Sequence, residues 1–206
     1  MVKIFAIHPD NPQSRLLRQA AEIILAGGIV VYPTDSGYAL GCRLRDKEAL
    51  DRIRQLRQLD KNHNMTLLCR DLSSLSYYAN VTNPIFRLLR AFTPGSYTFI
   101  LKATRMVPKL MLHPQRKTLG LRVPDHSITL SLLECLDAPL VNTSLTLPGA
   151  KVPLSETGAI RDILGSKVDL IIEGGSCDPD PTTVVDLTGD YPVILRSGKG
   201  ATSPFE

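Results

Sequence analysis

The sequence predicts one α/β domain, and three observations carry that expectation. The chain has 206 residues, enough for one substantial core and short for two. Brief β-branched or apolar runs, such as Ile29-Val30-Val31, residues 65–69 and residues 98–101, have the length and composition of buried strands. Between them lie segments that open on helix-start residues and continue with apolar positions three or four apart. Hydrophobic residues make up 43% and charged residues 21%, which fits a folded chain and excludes a disordered one.

Each element follows from local chemistry. Asp10-Asn11-Pro12 predicts a helix start, with Asn11 or Asp10 as N-cap and Pro12 in the first helical position. Leu16, Leu17, Ala20, Ala21 and Ile24 fall at helical spacing, and Gly27-Gly28 ends the helix. A strand follows at residues 29–31. Pro33 removes a ladder donor, so pairing is expected to stop there and residues 34–41 to form a loop. Thr34, Asp35 and Ser36, with Gly37 and Gly41, would let that loop present hydroxyls and N–H groups to a ligand; the same composition also describes an ordinary turn. Asp46 opens a second helix, apolar at Leu50, Ile53 and Leu56 and basic at Arg52, Arg54 and Arg57. A polar connector, residues 59–64, leads to the strand at 65–69.

Asp71 caps a short helix through Tyr78, and Asn83-Pro84 opens another. The Pro94-Gly95 turn enters a strand bearing Thr98. Arg122 lies in the apolar strand 118–123, where an unpaired guanidinium is costly, so a carboxylate of the fold or an anionic ligand must stand beside it. His126 starts the next helix as a cap or surface residue. A strand at 139–144, a helix at 157–164 and strands near 168–172, 182–187 and 193–196 complete the chain. Asp178 and Asp180 lie in an Asp-Pro-Asp-Pro run that favours a turn over a metal site.

Other readings set limits. Cys42, Cys69, Cys135 and Cys177 have no Cys-x-x-Cys spacing, so a zinc site has little support and reduced thiols are expected. His8, Pro9, Asp10 and Pro12 interrupt any secretory signal, and the longest apolar stretch, residues 23–32, is about half of the roughly 20 residues a membrane span needs. A cytoplasmic location with no membrane partner is expected. Charge is divided unevenly: residues 1–125 carry 19 Lys+Arg against 9 Asp+Glu, and residues 126–206 carry 5 against 11, giving the net +4. The basic part is a candidate anion-binding region, unless its charges are scattered over solvated faces.

Residues 27–41, Gly-Gly-Ile-Val-Val-Tyr-Pro-Thr-Asp-Ser-Gly-Tyr-Ala-Leu-Gly, resemble the opening motif of the YrdC-like family. So do Pro94-Gly95 with Thr98, Arg122-Val123-Pro124-Asp125-His126, residues 182–186 and Ile194-Leu195-Arg196-Ser197-Gly198, a likeness that spans about residues 15–200. The resemblance implies a YrdC/RibB-like fold: a twisted mixed sheet with flanking helices and a concave basic face. It also implies synthesis of threonylcarbamoyl-adenylate from threonine, bicarbonate and ATP, a nucleotidyltransferase reaction that serves tRNA modification. ATP with Mg²⁺ would then be substrate and ion, with no tightly bound cofactor. Thr34, Tyr38, Arg57, Thr98 and Arg122 are the implied substrate contacts. Arg57, Lys61, Ser144, Thr146, Thr182 and Arg196 are the implied nucleotide contacts.

Two departures bear on activity. Where family members carry Lys-x-Arg, this chain has Arg57 and Leu59; Lys61 or His63 could substitute. Where they carry Ser-x-Asn, it has Ser144 and Thr146, and a hydroxyl offers fewer hydrogen bonds than an amide. Together with the opening Ile-His-Pro-Asp-Asn-Pro, these resemble the YciO-type subgroup. The expectation is a weak or divergent threonylcarbamoyl-AMP synthase acting on threonine or another small carboxylic acid, with tRNA-modification proteins as partners. The alternative is a module without synthetase activity that binds duplex RNA or tRNA through its backbone; 5% aromatic residues and no Trp argue against base stacking.

Overall fold

The computed structural model describes residues 2–60, 63, 65–113, 115–150 and 153–206. In chain order these form β1 (Lys3–Ala6), α1 (Ser14–Leu25), β2 (Val30–Thr34), β3 (Gly37–Arg43), α2 (Lys47–Arg57), β4 (Thr66–Leu68), α3 (Leu72–Tyr78), α4 (Asn83–Phe92) and β5 (Tyr97–Lys102). They continue with β6 (Thr118–Arg122), α5 (Ser127–Leu136), β7 (Leu140–Ser144), α6 (Thr157–Leu164), β8 (Leu170–Glu173), β9 (Thr183–Asp186) and β10 (Val193–Arg196). The strands make one mixed sheet in the order β1-β8-β2-β3-β7-β4-β6-β5-β9-β10.

Side chains alternate across each strand, and this sorts the core into two clusters. Val31, Leu40, Leu67, Phe99, Leu119, Leu121 and Ile171 face one way and pack with Leu50 and Ile53 of α2, Leu75 of α3, Leu89 of α4 and Ile160 of α6. Val30, Tyr32, Ala39, Leu68, Leu140, Leu170 and Ile172 face the other way, under Leu17, Ala20 and Ile24 of α1 and Ile128, Leu132 and Leu133 of α5. The second face is therefore roofed only over β8, β2, β3 and the near ends of β7 and β4. Over β6, β5 and β9 no helix core residue among the described residues joins it.

The expected mixed sheet and flanking helices are present, with three local corrections. Residues 37–43 are strand β3, not loop: β2 pairs antiparallel with it from Val30↔Gly41 to Thr34↔Gly37, straight through Pro33↔Tyr38. The polar composition of 34–36 concealed a tight hairpin turn, with Gly37 at φ 91°, a conformation that favours glycine. Second, α1 begins at Ser14 with Gln13 as its cap residue. The N–H groups of Asp10 and Asn11 are already satisfied by His8 Nδ1, at 3.2 and 3.3 Å, and Asn11 precedes proline, which disfavours helix. Third, the N-terminal residues form β1, which pairs parallel with β8 along one edge of the sheet. Asp46 and Asp71 cap as expected, accepting from Ala49 N–H at 3.0 Å and Ser74 N–H at 2.7 Å. No described helix is long and apolar enough to cross a membrane.

Candidate functional site

On the unroofed part of the second face lies a cavity of about 270 Å³, near the lower bound for small-molecule sites. One row of cross-strand neighbours forms its floor. Asn142 of β7 opposes Thr66 of β4, Thr66 opposes Gly120 of β6, and Gly120 opposes Ile100 of β5. Thr98, Arg122, Ser144, Thr182, Val184, Leu195, Arg196, Ser36 and His63 complete much of the wall. These strand residues alternate with the apolar residues of the first cluster, so the polar floor faces away from it.

Two guanidinium groups enter the cavity. Arg122, 3% exposed, donates to Ser36 Oγ at 2.8 Å and pairs with the Asp35 carboxylate, while its Nε is buried without a partner. Of the two partners the sequence leaves open for Arg122, the β2–β3 turn supplies a carboxylate from within the fold. Asp35 is itself fixed by the Ser96 hydroxyl at 2.8 Å. Arg196 lies back on Thr182, donating to its carbonyl at 2.8 and 3.1 Å and to its hydroxyl at 3.2 Å. Burial lowers the Arg196 pKa and the Arg122 charge lowers it further, the signature of two cations in one place. Arg122 pairs with Asp35 while Arg196 has no ion pair among the described residues, so an added anion would be favoured.

The hydroxyls and amide are held in set directions. Thr98 and Thr182 share a hydrogen bond of 2.9 Å between their hydroxyls. Tyr32, buried beneath α5, donates to Asn142 Oδ1 at 2.6 Å and so fixes the amide at the border between roofed and open sheet. Burial pushes the Tyr32 phenol well above its ordinary pKa, partly offset by Arg122, so it remains a donor. Burial, followed by the Arg57 charge, lowers the pKa of His63 at the cavity rim.

Of the residues expected from sequence, the structure brings Thr98, Arg122, Ser144, Thr182 and Arg196 to this cavity. Thr34 stands just behind it, donating to Gly37 O at 2.6 Å and accepting from Ser36 N–H at 3.1 Å. Arg57 reaches the back of β7, bonding Thr143 Oγ1 at 3.1 Å and the Ser144 carbonyl; it steadies Ser144 from outside the lining. Tyr38 belongs to the opposite face, where it bonds Gly175 O at 2.7 Å and Gly174 N–H at 3.1 Å, and burial raises its pKa to about 12. Thr146 lies beyond β7 in a turn closed on the Ser144 carbonyl at 3.0 Å, outside the lining. Lys61 lies outside the described residues. Leu59 packs against the first apolar cluster, which gives a leucine there a structural role.

Sequence reasoning missed Thr66, Gly120 and Asn142 as parts of this arrangement, and placed Asp35 and Ser36 only in a loop that could present polar groups to a ligand. The available signal was period two: in Thr66-Leu67-Leu68, Gly120-Leu121-Arg122 and Val141-Asn142-Thr143 the odd residues out share one face. Among the described residues no group of three His, Cys, Asp or Glu gathers as a metal site.

The sequence model of the Sua5/YciO/YrdC family, described as telomere recombination, matches residues 22–198. The chain belongs to this family. It is 55% identical over 205 residues to the uncharacterized protein YciO of Escherichia coli strain K12, covering the whole of both. The crystal structure of Escherichia coli YciO superposes with a TM-score of 0.97 over the full length of each chain. A threonylcarbamoyl-AMP synthase of Pyrococcus abyssi is 30% identical over 184 residues, 88% of this chain and 54% of that protein. The structure of Pyrococcus abyssi Sua5 complexed with L-threonine superposes with a TM-score of 0.87, covering 95% of this chain and 57% of that one. The family relation to the synthases is thus carried by both sequence and fold.

Proposed function

We propose that this chain is a divergent threonylcarbamoyl-AMP synthase, making the adenylate of an N-carboxylated amino acid that supplies tRNA modification. The observation that supports this most is the convergence of Arg122, paired with Asp35, and Arg196 on a floor of hydroxyl and amide groups. The likeness to synthases, one of them solved with L-threonine, supports the substrate class. In the reaction, the threonine amine attacks bicarbonate to give a carbamate and water. A carbamate oxygen then attacks the α-phosphorus of ATP, the bond from that phosphorus to the bridging oxygen breaks, and pyrophosphate leaves.

No protein nucleophile is required. The two guanidinium groups stabilise the spread of negative charge, while Thr98, Thr182, Ser144 and Asn142 position the reactants. A cavity of about 270 Å³ encloses the acid and leaves most of the nucleotide toward the mouth, where Arg196 lies on edge strand β10. Leucine at 59 and threonine at 146 remove groups that family synthases use, so turnover is expected to be about ten- to a thousand-fold slower than theirs. The test is pyrophosphate release from Mg-ATP by purified protein, with threonine and bicarbonate each omitted in turn, and the adenylate identified by mass. Dependence on both supports the proposal. Absence of pyrophosphate under all conditions, with salt-sensitive RNA binding instead, would favour a binding module.

A further inference from the structure

The two edges of the sheet differ in what their backbones offer. Near the β10 edge, Thr183 N–H donates to Ser96 O at 3.1 Å and Leu187 N–H to Ile100 O at 3.0 Å, so alternation turns the backbone groups of Val184 and Asp186 toward β10. Asp186 opposes Val193, and the register shifts between Ile194 and Arg196. Pro192 therefore takes an outward position with no N–H to give, and the bulge breaks the line beyond it. Both features blunt an edge. β1 has neither. Its register with β8 runs unbroken from Lys3↔Leu170 to Ala6↔Glu173. Lys3 N–H donates to Asp169 O at 3.3 Å and Ile7 N–H to Glu173 O at 2.8 Å, so Val2, Ile4 and Ala6 turn their N–H and C=O groups outward. A groove of about 920 Å³ follows Val2, Lys3 and Ile4, bounded by Ile23 of α1 and by Gly165 and Val168 beyond α6.

We infer that β1 pairs antiparallel with β1 of a second copy of this chain, joining two sheets across a two-fold axis at Ile4. The run Val2-Lys3-Ile4-Phe5-Ala6 fits itself in that register. Ile4 opposes Ile4 of the second copy and Val2 opposes Ala6, which pairs the outward N–H and C=O groups of all three. Lys3 opposes Phe5, so the one charge in the strand meets an aromatic ring rather than its own copy. This self-complementarity selects a second copy over any other extended segment. The added strand fills the groove against Val2 and Ile4, which already lean on the first apolar cluster. Opposed residues of an antiparallel pair share a face, so both cavities open on the same side of the joined sheet. Each cavity lies beyond β8, β2 and β3 from the junction, and neither is covered. A contact through residues 2–6 is short for a permanent interface, so association depends on concentration.

Sedimentation equilibrium of the full chain over a wide concentration range tests this, and wild type should show a monomer–dimer equilibrium. Ile4→Pro removes an outward N–H and no bond to β8, and should weaken the dimer about tenfold or more. Ile4→Lys and Ile4→Glu each set like charges opposite one another on the axis and should be monomeric alone, whereas their equimolar mixture should recover a dimer. Loss of folding could not produce that recovery. Wild type that stays monomeric at every concentration overturns the inference. So does a dimer that all three variants leave intact, or a charge pair that stays monomeric on mixing.

Discussion

One face of the sheet has two halves with opposite fates. Under α1 and α5 its inward positions are Val30, Tyr32, Leu140, Leu170 and Ile172, all buried in an apolar cluster. A few ångströms along, the equivalent positions are Thr98, Gly120, Arg122, Asn142 and Thr182, and they line a cavity. The border cuts across individual strands: Leu140 and Asn142 of β7, like Leu68 and Thr66 of β4, fall on opposite sides of it. Glycines mark the contrast. A Cβ at Gly41 would press on Tyr32 and Leu140 at 2.8 and 2.9 Å, so that glycine serves close packing, whereas the space above Gly120 is bordered by a hydroxyl and two methyls. Strand alternation decides which face a residue takes, and only the helices decide whether that face is core or site.

The contrast can be tested most severely at Arg122. Arg122→Met leaves Asp35 buried without its cation and should cost about 3–5 kcal/mol in urea unfolding. Adding Asp35→Asn should recover much of that stability without restoring ligand affinity, which separates the two functions of the pair. Under the roof, Leu132→Ala removes a fully buried side chain and should cost about 2–5 kcal/mol, lowering the melting temperature while threonine affinity at 25 °C stays the same. A large loss of affinity there would break the division between the halves.

Tyr32 spans the border, so Tyr32→Phe should affect both sides: about 1–3 kcal/mol of stability from the unsatisfied Asn142 carbonyl, and weaker binding from a freed amide. The smallest effect is expected on the other face, at the α2 cap. The Ala49 N–H bond, foremost, holds the Asp46 pKa below its ordinary value. Its contribution is therefore complete above about pH 4, the unfolded value, and is lost as pH falls through the lower folded value. Asp46→Asn should flatten the stability profile below about pH 4 with no change in ligand binding, and Asp46→Ala should cost about 1 kcal/mol at neutral pH.

The sequence by itself determined the mixed strand and helix content, most helix positions, the capping aspartates and the family, because these depend on periodicity, caps and contiguous motifs. It also named Thr98, Arg122, Ser144, Thr182 and Arg196, each inside a short recognisable run. Only the tertiary structure decided that residues 37–43 continue the sheet, that Arg122 answers Asp35, and that Tyr38 and Arg57 support the site from outside its lining. It also decided that Asn142, Thr66, Gly120 and Ile100 stand in one row. Register joins four strands far apart in the chain, and the absence of a helix above them leaves their polar atoms open; neither is a property of neighbouring residues.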